Sequence, residues 1–84
     1  MSDERLKFHE LIDRLNQLEA SEVLVIGIDR LIIDPKTGSV APDINEILDL
    51  SALNDHEVEA SIASARKFVS RFGQDPNERF DLVL

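Results

Sequence analysis

In the stretch HELID, His9 and Asp13 stand four residues apart, so on a helix they share one face. An imidazole and a carboxylate so placed are two candidate metal ligands. A zinc site needs three or four, at short recurrent spacings. The only other histidine lies in DHEVE, where Asp55, His56, Glu57 and Glu59 cluster. Nothing in the spacing ties the two segments together, so a metal site or small enzyme built on His9 and His56 is kept as an alternative. A solvated helix face and a charged helix start explain both segments more simply.

Other chemistry finds less support. Acid–base catalysis needs convergent carboxylates with displaced pKa values. Asp3, Glu4, Asp43, Glu46, Asp55 and Glu57 instead fall in the first turns of expected helices, where they complement the helix dipole. The three glycines, Gly27, Gly38 and Gly73, are too scattered for a phosphate loop. No serine stands in a nucleophile-elbow motif. The expectation is a protein that is not an enzyme and carries no cofactor.

Charge says more. The 84 residues include 17 acids and 9 bases, for a net charge of −8. Such a chain is repelled by phosphate backbones and anionic lipid. Between Lys36 and Arg66 there is no Lys or Arg, while Asp43, Glu46, Asp49, Asp55, Glu57 and Glu59 all lie there. These six are read as an acidic face that steers a basic protein partner. A helix-turn-helix is discounted, because its recognition helix would bring Asp55, Glu57 and Glu59 to the major groove.

The elements that must position these residues follow from periodicity. Phe8, Leu11, Leu15 and Leu18 repeat at 3, 4, 3, predicting a helix over Ser2–Glu19 with Ser2 as N-cap. Val23 to Ile33 is aliphatic and β-branched, and as a helix it would be apolar all round. DPKTG follows, with Asp34 to start a turn, Pro35 to preset it and Gly38 to close it. The reading is a strand and β-hairpin pairing Leu31–Ile33 with Ser39–Ala41, with a bend at Gly27. Pro42-Asp43 opens a short helix to Asp49, with Asp43 and Glu46 as a capping box. A last helix runs from Asn54 to Phe72, with Gly73 as its stop. Its small residues Ala60, Ser61 and Ser64 allow another helix to approach.

The chain is thus read as α+β: an N-terminal helix, an aliphatic strand and hairpin, and two C-terminal helices. The alternative is an all-α, dimeric small helical bundle. Residues 1–73 are expected to form one compact domain, and 74–84 a polar linker with an apolar tail. In that tail Phe80, Leu82 and Leu84 either pack as a last strand or bind a partner. Leu11, Leu15, Leu18, Leu24, Ile26, Ile28, Ile32, Ile47, Val58, Ile62, Val69 and Phe72 are the expected core.

At this length a core alone gives marginal stability, and with no cysteine there are no disulfides to supplement it. The exposed edge of an isolated hairpin would be buried by a second copy, so a homodimer is expected. The start of the chain has no apolar core, and no run nears the ~20 apolar residues that span a membrane. The expected setting is the cytoplasm. The expected function is a small acidic, non-catalytic protein–protein interaction or regulatory module. A nucleic-acid mimic that inhibits a basic nucleic-acid-binding protein is the other alternative.

Overall fold

The structure, a computed structural model, describes residues 3–84. Its elements in chain order are β1 (Asp3–Leu6), α1 (Phe8–Ala20), β2 (Gly27–Ile33), β3 (Val40–Asp49), α2 (Val58–Val69) and β4 (Glu78–Val83). The four strands form one antiparallel sheet in the order β1-β4-β2-β3. The fold is α+β, and the all-α alternative falls.

The helix at the start is shorter than expected. Ser2, the expected N-cap, lies outside the described residues. Asp3 to Leu6 form a strand whose register pairs Leu6 with Phe80 and Arg5 with Asp81. The apolar stripe of the helix begins only at Phe8, so periodicity placed no demand on the residues before it. Their backbone instead meets the open edge of β4. The helix starts after Lys7, whose N–H donates to the Glu10 carboxylate at 2.8 Å.

α1 ends in a Schellman turn. Val23 N–H reaches the Leu18 carbonyl and Glu22 N–H that of Glu19, with Glu22 in the left-handed region at φ 55°. Residues 21–26 then run as an irregular link, so the aliphatic strand starts at Gly27 rather than Val23. A buried serine holds this link: Ser61 Oγ accepts from Val25 N–H at 3.1 Å and donates to the Val58 carbonyl at 2.8 Å.

The hairpin forms where expected. Asp34 exchanges backbone bonds with Gly38 and Ser39, and Gly38 takes φ 74°. Its second strand runs much further than Ala41, to Asp49. The short helix expected over 43–49 is therefore strand. Asp43 and Glu46 do not cap a helix; their carboxylates bind Arg30 and Arg71. Ile47, counted as core, is 50% exposed as a result. Only one helix follows, and it starts at Val58. Ahead of it the Glu57 carboxylate accepts from Asn54 N–H at 2.7 Å.

The last segment is a central strand, not a loose tail. Glu78, Phe80 and Leu82 are buried, and the intervening residues are half-exposed. The core joins Leu11, Leu15 and Leu18 of α1 to Ile62, Ala65, Phe68 and Val69 of α2 and Ile28, Phe80 and Leu82 of the sheet, with Val25. Val58 and Phe72 pack against it as expected, while Leu24, Ile26 and Ile32 are half-buried. All four phenylalanines form a chain of tilted rings, Phe8–Phe80–Phe72–Phe68, with centroids 5.3–6.3 Å apart.

Candidate interaction surfaces

Both helices supply the one core, so both lie on one face of the sheet. Strand alternation puts Ile28 and Arg30 of β2, and Glu78, Phe80 and Leu82 of β4, on that face. The opposite face has no covering layer among the described residues. It carries Gly27, Asp29, Leu31 and Ile33 of β2, Arg79, Asp81 and Val83 of β4, Arg5 of β1, and Val40, Pro42, Ile47 and Asp49 of β3. One row across the sheet reads Arg5, Asp81, Asp29, Ile47.

Over Gly27 this face holds a shallow groove of about 280 Å³. Val83 and Ile47 supply apolar walls, and Asp29 and Asp49 bring carboxylates. Asp49 accepts from Ser51 N–H at 2.9 Å. Hydrogen bonds from the Ser51 side chain and backbone hold its carboxyl below the usual aspartate range. The charge at this groove is therefore kept ionised.

The six acids predicted as one face do not form one. Asp43 is tied to Arg30 at 3.0 Å and Glu46 to Arg71 at 2.6 Å. Asp49 belongs to the groove over Gly27. Asp55, Glu57 and Glu59 gather at the end of the molecule where α2 starts. Two acids that the sequence reading passed over, Glu19 and Glu22, join them with His56 around an open groove of about 610 Å³. Glu19 is gripped by both Nη atoms of Arg66, at 3.0 and 2.9 Å, and that pairing lowers its carboxyl below the ordinary glutamate value. Glu19 sits four residues after Leu15 but on the solvent side of α1, so only the packing of α1 on α2 reveals its neighbour.

Of the tail residues proposed to bind a partner, Phe80 and Leu82 are fully buried and offer no surface; Leu84 is half-buried. His9 and His56 line different grooves. His9 lies with Lys7, Phe8, Asp75 and Arg79, away from the acids around His56. Among the described residues, no group of three or more His, Cys, Asp or Glu could hold a metal ion.

A further groove, of about 490 Å³, runs between α2 and the β3 edge. Leu48 and Phe68 form its floor; Ser64, Lys67, Ser70 and Arg71 form its wall. The Arg71 guanidinium lies over the Phe68 and Phe72 rings at 5.4 and 5.0 Å. Both edges of the sheet are blunted. Among the described residues β1 has four. In β3 the register jumps, so that residues 43–46 stand opposite Arg30 alone, and Pro42 has no N–H to offer.

No helix is long and apolar enough to cross a membrane among the described residues. No protein-family model, no curated protein and no solved structure matches this chain.

Proposed function

We propose that this protein is a non-catalytic protein-interaction module that offers the uncovered face of its sheet to a basic partner. The groove over Gly27 carries this reading. Apolar walls at Val83 and Ile47 suit the aliphatic stem of a Lys or Arg, and Asp29 and Asp49 suit its charged end. The net charge of −8 and the acids around His56 add a field that speeds the approach of a cationic protein and repels nucleic acid and anionic membrane. The absence of cysteine suits a reducing compartment, and we place the module in the cytoplasm.

Paired capture from an extract of the source cells tests it. Wild type and two variants, Ile47→Asp and Asp29→Lys/Asp49→Lys, are immobilised in parallel. All three must first show the same circular dichroism. The expected result is a basic protein held by wild type and lost by both variants. Equal capture by all three, or none by any, overturns the reading.

A second reading rests on the groove around His56. Five carboxylates line it, from Glu19, Glu22, Asp55, Glu57 and Glu59. On this reading the acidic end imitates a phosphate backbone and occupies a nucleic-acid-binding protein. It requires that DNA compete for the captured partner and that Glu57→Lys/Glu59→Lys abolish capture while Ile47→Asp does not.

A further inference from the structure

We propose that two copies of this chain associate through the outer side of α2, antiparallel, about a two-fold axis between Ala63 and Ser64. This surface is separate from the uncovered sheet face, and the inference stands or falls independently of it.

The inner side of α2 is spent on the core through Ser61, Ile62, Ala65, Phe68 and Val69. Its outer side carries Ala60, Ser64 and Lys67 at spacings of 4 and 3, the repeat of a helix–helix seam, with Arg71 following in the turn after the helix. The groove of Leu48 and Phe68 runs beside that seam, apolar and open to solvent. An apolar groove flanking a helix of short side chains lets a second helix come close and cover it.

The charges select the occupant. Asp55, Glu57 and Glu59 stand at the N-terminal end of α2 and Lys67 in its last turn, while Arg71, just beyond the helix, already pairs with Glu46. Among the described residues, neither Glu59 nor Lys67 has an ion-pair partner. Antiparallel docking of two copies sets each acidic end against a basic end. Lys67 of one copy then lies over Ala60 of the other, within a turn of Glu57 and Glu59. A parallel arrangement would set like charges together. The helix is thus complementary to itself in one orientation only, which a closed two-fold contact requires. Pairing along the β3 edge, the route that an isolated hairpin suggests, is hindered by Pro42 and by the bulge over 43–46.

The test is the mass of the purified protein by light scattering and sedimentation, from micromolar to millimolar concentration. A mass that rises from one chain to two is expected. Ser64→Arg, which blocks the seam, should return it to one chain. Lys67→Glu should weaken the dimer about tenfold, and adding Glu59→Lys should restore it. Circular dichroism identifies any variant that fails to fold, and Ala63→Arg then serves in place of Ser64→Arg. A single-chain mass throughout overturns the proposal. So does a dimer indifferent to Ser64→Arg and to the charge exchange, or one dissociated by Ile47→Asp instead.

Discussion

Arg30 donates from both Nε and Nη2 to a single carboxylate oxygen of Glu78, at 3.2 and 3.1 Å, on the helix-covered side of the sheet. Their side chains are 14% and 2% exposed. The remaining guanidinium nitrogen reaches Asp43, and the guanidinium lies 4.7 Å from the centre of the Phe72 ring. The second oxygen of Glu78 accepts from Gly73 N–H at 2.9 Å. One ion pair therefore links β2, β3, β4 and the turn after α2. Removing Arg30 leaves the buried Glu78 carboxylate without a counter-charge, and removing Glu78 leaves Arg30 only the half-exposed Asp43. Arg30→Ala or Glu78→Ala should each cost about 3–5 kcal/mol in urea unfolding, while the paired replacement Arg30→Met/Glu78→Leu should recover most of the loss.

Glu22 sits at the turn after α1 with φ 55°, where a side chain is strained. Its backbone closes the C-terminal turn of α1, and its side chain makes no ion pair among the described residues. Glu22→Gly should stabilise the protein by about 1 kcal/mol, read as a higher urea midpoint at unchanged slope.

Val25 N–H donates to Ser61 Oγ, and both residues are fully buried. Ser61→Ala leaves that donor unsatisfied. A loss of about 1–3 kcal/mol is expected, with faster amide exchange at Val25 as the local signature.

Glu19 gives a pH test. Its carboxyl is held below the ordinary value of 4.5, chiefly by the hydrogen bonds from Arg66. A carboxyl depressed in the folded state contributes stability above its unfolded pKa and loses it as pH falls through the folded one. The melting temperature of wild type should therefore exceed that of Glu19→Gln at neutral pH, and the two should converge in acid below that value. The pair is exposed, so the difference is small. Equal melting temperatures at neutral pH would refute the contribution.

The elements read correctly were those whose pattern is local. Phe8, Leu11, Leu15 and Leu18 mark α1 by spacing alone, and Asp34-Pro35…Gly38 marks the hairpin by turn chemistry. The same rules misread β1 and the second half of β3. Asp43 and Glu46 match a capping box in every local respect, yet their partners Arg30 and Arg71 are 13 and 25 residues away. Strand pairing is a long-range choice, and it overrode a helix signal of only two turns. The surfaces suffered likewise. A count of six acids between 43 and 59 is true of the sequence, but only the fold separates those matched by arginines from those that face water. Glu19 and Glu22 joined the acidic end unnoticed, because α1 and α2 meet only in three dimensions.

The order β1-β4-β2-β3 makes the last strand the link in the sheet. β1 finds its neighbour some seventy-five residues later, and the β2–β3 hairpin meets β1 through β4 alone. During synthesis the first strand must therefore wait, unpaired, until residues 78–83 have cleared the ribosomal tunnel. The hairpin and α1 can form early, but the core cannot close around Phe80 and Leu82 before then. Such delayed, distant pairing slows folding and lengthens the time in which a nascent chain is exposed to aggregation and to chaperones.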